Sequence, residues 1–215
     1  MRLEASFFKH ITVISESLAE MLQIVDRAHI LPAGADILSL QDKEFDEFNL
    51  IYIGTLYNRA LDLTIKGFRQ FYEEKKSHVP ITYTIIGGGS NREEEILKDL
   101  VARYGLSEIV SVTGWIPQDK LRVHFDSANV GVSYIPLTKY YDVQPPTKTF
   151  EYLLAGMPVI ATYTAENRKI INPGNGVLVG DTVEDFYSGL VGIYENRRSF
   201  DSKRIRASSK DCSWE

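Results

Sequence analysis

The stretch VQPPTKTFEYLLAGMPVI, Val143 to Ile160, decides how the rest of the chain is read. Pro145 and Pro146 favour an extended approach, because a residue before proline is pushed out of the α region. Thr147 then stands as a helix N-cap. Apolar residues follow at Phe150, Leu153, Leu154 and Met157, a helical spacing that lines one face. Gly156 is placed to end the helix in the left-handed conformation. Pro158 then opens a short apolar run, Val159, Ile160 and Ala161, which reads as a buried strand.

Outward from this helix and strand the same alternation recurs. Strands are expected at 50–53, 81–86, 108–113, 129–134 and 176–179. Helices are expected at 61–76, with Leu61, Ile65, Phe68 and Tyr72 on one stripe, and at 91–104, 118–127 and 183–196. Glu93, Glu94 and Glu95 suit the positive N-terminus of the helix at 91–104. Alternating strands and helices define an α/β fold, a Rossmann-like parallel sheet with helices on both faces. Upstream, 11–14 and 28–31 read as short strands. Ser17 and Glu20 have capping-box spacing for a helix of about two turns reaching Ile24. The charged run Gln41 to Glu47 then reads as a linker. The expected division is 1–48 as a preamble and 49–215 as the main domain.

The composition fits a soluble globular protein: 215 residues, 44% hydrophobic and 25% charged. The net charge of −5 and the pI near 5.5 give no support to nucleic-acid binding by bulk electrostatics. Cys212 is the only cysteine, which excludes an internal disulfide or a cysteine-rich zinc site and suits a reducing cytoplasm. No apolar run approaches the roughly 18 residues that span a bilayer, and the start MRLEASFFKH lacks a signal-peptide core. The expected location is the cytoplasm, with peripheral contact at the inner membrane face left open.

On the helix of the opening stretch, Lys148, Glu151 and Ala155 lie away from the apolar stripe. One reading is a solvated face with an i, i+3 ion pair. The other is an anion site, since a helix N-terminus carries free N–H groups and partial positive charge. The pattern P-x-K-x-x-E-Y-x-x-A-G-x-P-V, Pro146 to Val159, resembles the donor-binding signature of the glycosyltransferase family 4 (group 1) enzymes of GT-B fold. The likeness extends well over residues 50–195 and weakly over 10–36 and 205–215. It implies that Glu151 holds the ribose hydroxyls of a nucleotide sugar. Val143 occupies the place where the commoner pattern has a second glutamate. A subset of the family has the proline–lysine version instead, which implies Lys148 near the phosphates.

Four loops are expected at the carboxyl edge of the sheet, where open α/β sheets bind ligands. In Gly54 to Ala60 the resemblance gives the diphosphate to Arg59 and Thr55, with Gly54 starting the loop; the alternative is a surface arginine in a turn. Gly87, Gly88 and Gly89 let a ligand approach the backbone. They do not form a dinucleotide fingerprint, because Arg92 stands where its last glycine would be. Gly114 to Pro117, with Trp115 and Ile116, resembles the segment whose backbone meets the nucleobase, although Trp115 also suits packing. Tyr140 and Tyr141 sit in the loop from Tyr134 to Thr147, which faces a sugar or acceptor or is simply exposed. The scattered His10, His29, His78 and His124 offer no metal site.

The resemblance implies the donor half of a glycosyltransferase. Its donor would be a nucleotide diphosphate sugar, most often UDP-linked, and its acceptor a glycan or lipid-linked sugar. Transfer would retain the anomeric configuration, with no metal or cofactor. It also implies an N-terminal acceptor domain, with residues 1–48 as its remnant and a final helix cut near Ser213 to Glu215. A non-catalytic nucleotide-sugar-binding module or gene remnant is the alternative, and an epimerase or phosphorylase of similar architecture a weaker one.

Overall fold

A computed structural model describes residues 7–214. The sequence reading of the first six residues and of Glu215 lies outside the described residues. Two parallel sheets are present among the described residues. The smaller pairs β1, Ile11–Val13, with β2, Ala28–Ile30, and carries its own core of Val13, Ala19 and Ile24. Between them runs α1, Glu16–Leu22. Its N-cap is Ser15 rather than Ser17, and it stops two residues short of Ile24. Ser15 wins because its hydroxyl does two jobs. It accepts from Leu18 N at 3.1 Å and donates to Val143 O at 2.6 Å, a tertiary contact that local spacing does not reveal.

The larger sheet holds β3, Phe48–Ile53; β4, Ile81–Ile86; β5, Val110–Val112; β6, Val130–Ser133; β7, Val159–Thr162; and β8, Gly176–Val179. Every pairing is parallel, and the order is β5-β4-β3-β6-β7-β8. The order reverses between β3 and β6, the switch point where such sheets bind ligands. The expected α/β fold is therefore the observed one. The strand ends at 108–113 and 129–134 are trimmed to β5 and β6.

Side chains alternate across the sheet. Phe48, Leu50 and Tyr52 share one face of β3, where α2, Leu61–Lys75, meets α8, Val183–Asn196. Phe48 packs against Phe71 of α2 and edge-on to Tyr194 of α8. Gly67 is the point of closest approach, since a Cβ there would lie 2.9 Å from Val183 O. On the other face lie α4, Arg122–Ser127, and α6, Thr147–Leu154, joined by Phe125 and Tyr152. The helix α3, Glu93–Arg103, lies beside β5. It is shorter at both ends than 91–104, and the expected helix at 118–127 is a 3₁₀ turn over Gln118–Lys120 followed by α4. Three short helices had no separate signal: α5, Lys139–Asp142; α7, Asn167–Ile170; and α9, Ser202–Ser208. The run Gln41 to Glu47 has no helix or strand, but it is fastened: Lys43 is buried and donates to Phe125 O at 2.5 Å.

Candidate functional site

The helix α6 is fixed more firmly than a surface helix would be. Thr147 is not its N-cap. Pro146 takes that place, and Thr149 N bonds back to Pro146 O at 3.0 Å, which draws Thr147 into the first helical turn. No side chain caps this end, so the amides of Thr147 and Lys148 have no partner among the described residues. Thr149 is wholly buried; it shares a 2.7 Å hydrogen bond with Ser133 and donates to Asn167 Oδ1 at 3.0 Å. At the far end Gly156, φ +77, sends its N–H to Leu153 O while Met157 N reaches Tyr152 O. That pair of bonds closes the helix as a Schellman motif. Arg206 of α9 adds a cation there, donating from Nε to Leu154 O at 3.1 Å.

The side of α6 bearing Lys148, Glu151 and Ala155 is not a solvated face. Ala155 is fully buried, Lys148 and Glu151 are half-buried, and no ion pair joins these two charges among the described residues. Tyr152 shows how the helix meets the switch point. It lies across Gly131, where a Cβ would come within 2.4 Å of its ring, and its hydroxyl accepts the N–H of Ile53 at 2.8 Å. The β3–β6 ladder registers only Leu50 with Val130 and Ile51 with Gly131, so the strands part below Ile53 and Tyr152 satisfies the freed amide.

Beside this crevice the loops after β3, β4 and β5 lie edge to edge. Gly54 N bonds to Ile86 O, Leu56 N to Gly88 O and Gly87 N to Gly114 O, at 2.9–3.0 Å. A Cβ on Gly87 would sit 1.7 Å from Gly54 O, which is why that position must be glycine. The loops enclose a cavity of about 480 Å³. Of the residues singled out in the sequence, Gly54, Thr55, Gly87, Gly88, Trp115, Ile116 and Glu151 line it. Trp115 is 74% exposed, so packing is not its role. Gly89 is not part of the wall; the Glu93 carboxylate folds against it and accepts from Asn91 N.

Lys148 lies just beneath the lining. Its Nζ is shut off from solvent, has no hydrogen-bond partner, and sits 3.8 Å from the centre of the Tyr52 ring. It is also 2.9 Å from where a Cβ on Gly54 would be. Burial and, next, the charge of Arg59 push its pKa down to about 7, against the pull of Glu151. Burial raises the Glu151 carboxyl above its usual value, opposed by Lys148 and helped by Asp36. The Glu151 carboxylate accepts no hydrogen bond among the described residues.

Arg59 stands at the edge of the same group. It is half-buried, between Asn58 and Ala60, which both have positive φ (53° and 51°). Ala60 is the N-cap of α2, and that end too lacks a side-chain cap. The Arg59 guanidinium packs over the Tyr141 ring at 4.5 Å and donates to the Tyr141 hydroxyl. Sequence reasoning missed Gln118 and Leu121 in the cavity wall, Asp36, which accepts from Gln118 at 2.7 Å, and Tyr52. Gln118 follows Pro117 at the carboxyl edge and was open to discovery by place alone. Tyr52 is an ordinary strand residue in the sequence. Among the described residues no three His, Cys, Asp or Glu side chains gather as a metal ion requires, and no helix is long and apolar enough to cross a membrane.

Comparison with known proteins bears on this arrangement. Sucrose-phosphate synthase from Thermosynechococcus elongatus superposes with a TM-score of 0.77 at 19% identity, over 99% of this chain and 57% of that one. The pneumococcal O-GlcNAc transferase GtfA, solved with UDP and GlcNAc, gives 0.77 at 17%, over 99% and 44%. HepE from Anabaena, solved with UDP and glucose, gives 0.74 at 15%, over 95% and 59%. At these identities the likeness concerns the fold, that of GT-B glycosyltransferases, and the chain spans 44–59% of the length of these structures. No curated protein matches the chain. The family described as Glycosyl transferases group 1 matches residues 47–196, every strand of the large sheet included, and the chain belongs to that family.

Proposed function

We propose that this chain binds a nucleotide diphosphate sugar, UDP-linked, and works as the donor half of a glycosyltransferase. The observation that carries the reading is the pairing of Glu151 with the buried, unpartnered Lys148 amine on one turn of α6, beside a 480 Å³ cavity walled by glycine loops. A buried amine without a partner is costly unless a ligand completes its surroundings. Glu151, with both oxygens unengaged, suits two vicinal hydroxyls of a pentose. The Trp115–Ile116 segment suits the base. The diphosphate falls to Lys148, Arg59, Thr55 and the uncapped N-termini of α6 and α2, which offer N–H groups and positive dipole ends.

On this reading the chemistry is electrostatic. When the bond from sugar to diphosphate breaks, negative charge grows on the leaving phosphate. Arg59 and Lys148 stand beside it, with the Lys148 amine itself out of contact with solvent. Positive charge from these side chains fills the place a metal ion would take, and the reading includes transfer with retention of configuration. The acceptor, a glycan or lipid-linked sugar, would be held by a second domain. The separate small sheet, with β1 and β2, would belong to that domain, and the large sheet from Phe48 onward to the donor domain. GtfA and HepE, which share the fold, were solved with UDP, which supports the choice of nucleotide.

Calorimetry with UDP, uridine and pyrophosphate tests the reading. UDP is expected to bind with a dissociation constant between about 1 µM and 1 mM, or about −8 to −4 kcal/mol. Arg59→Ala should weaken UDP by at least about tenfold, the loss of one charged hydrogen bond, and leave uridine unchanged. If no common nucleoside diphosphate binds, the reading fails. A UDP-sugar hydrolysis or transfer assay separates a transferase from a module that only binds.

A further inference from the structure

We propose that Tyr141 is a positioning residue for the donor diphosphate: it holds the Arg59 guanidinium in register with the phosphate site from a loop 82 residues away. This inference rests on the donor-binding reading above. Arg59 meets no carboxylate among the described residues. Its Nη1 donates to the Tyr141 hydroxyl and, at longer range, to the carbonyls of Tyr57 and Asn58 at 3.3–3.4 Å. The guanidinium plane rests on the Tyr141 ring, 4.5 Å from its centre. The Tyr52 hydroxyl also faces the guanidinium, and no other hydrogen bond engages Nε or Nη2 among the described residues. One edge of the fork is therefore anchored, and among the described residues no carboxylate competes for the donors that remain for phosphate oxygens. A carboxylate anchor would neutralise the cation; a phenol ring orients it and leaves its charge whole.

The tyrosine can orient Arg59 because its own helix is tied down from several sides. Thr138 caps α5, its Oγ1 accepting from Tyr141 N at 3.2 Å. Asp142 Oδ1 accepts from Ala165 N at 2.7 Å, which joins α5 to the loop after β7. Asp181 Oδ2 accepts from Leu137 N at 2.9 Å, which joins it to the loop after β8. Ser15, the N-cap of α1, donates to Val143 O at 2.6 Å. The Arg59 loop has less support of its own, with two positive-φ residues flanking the arginine. The rigid partner is thus the one that carries no charge, and the charged partner borrows its order.

A double-mutant cycle read by calorimetry tests this, with UDP and uridine as the probes. Tyr141→Ala should weaken UDP about tenfold and leave uridine unchanged. Tyr141→Phe, which keeps the ring and loses only the hydroxyl, should recover most of that loss. On the Arg59→Ala background, Tyr141→Ala should cost nothing further, because it acts only through the arginine. Additive losses on that background, or equal losses for UDP and uridine, would overturn the assignment. So would normal UDP binding by Tyr141→Ala in a chain where Arg59→Ala is impaired, and that outcome leaves the donor-binding reading standing. Absence of UDP binding by the unaltered chain overturns both.

Discussion

Lys148 offers the sharpest quantitative test, because its charge state in the empty site differs from the one a diphosphate would demand. In the empty chain its pKa sits near 7, held down first by burial and then by Arg59. A bound diphosphate would favour the ammonium and lift that pKa. Binding then takes up a proton wherever the empty site has lost one, and affinity falls as pH rises above about 7. A UDP-sugar is the right probe, since its phosphodiester charges do not titrate near neutrality. With a pKa of 7, about three quarters of empty sites are protonated at pH 6.5 and about 3% at pH 8.5. If the bound amine stays charged throughout, affinity drops more than tenfold between these values, on the order of 2 kcal/mol. Proton uptake should rise from about a quarter of a proton to nearly one. Calorimetry in buffers of different ionisation enthalpy measures both. Lys148→Met should bind weakly and with no pH dependence. A flat affinity with no proton uptake in the unaltered chain would refute the argument. The same shift has a stability sign. Between about pH 7 and 10.5 the unfolded lysine holds a proton that the folded one does not, so the Lys148 contribution rises with pH, and its cost is full below pH 7. Lys148→Met should therefore raise the Tm of the empty chain at pH 6.5, and the gain should shrink as pH increases.

Two further perturbations reach other parts of the site. Glu151→Ala should weaken UDP strongly and pyrophosphate hardly at all in calorimetric titrations; equal losses would remove the pentose from its role. Gly87→Ala would drive a Cβ to 1.7 Å from Gly54 O at a positive φ of 155°, so a loss of at least about 2 kcal/mol in denaturant unfolding is expected, and an unchanged midpoint would show that the two loops are not so tightly laced.

Much of the fold was legible because the long elements carry their own signals. The strand at 81–86, the strand at 176–179 and the helix at 183–196 have the bounds their apolar runs and breakers suggest. The short helices α5, α7 and α9 were not legible, since four to seven residues nucleate no helix by propensity and depend on tertiary bonds such as Asp142 to Ala165. Caps failed in the same way. Ser17 has the better local pattern, but Ser15 has a partner 128 residues away. In the site, the glycines could be found because loops after parallel strands converge on one edge, and Glu151 because its helix resembles the family's donor-binding signature. The burial of Lys148 could not, because its surroundings are Tyr52 and Gly54 from a strand nearly a hundred residues upstream. Spacing around α6 left a solvated face and an anion site as alternatives; enclosure of Ala155 and of the Lys148 amine rules out the first.

A crystal structure with a UDP-sugar bound probes the core of this account most directly. The account predicts the pentose hydroxyls within hydrogen-bond distance of the Glu151 carboxylate and the diphosphate oxygens against Lys148 Nζ and Arg59. A nucleotide seated elsewhere, or a Glu151 side chain turned to bulk water with the cavity empty, would contradict it.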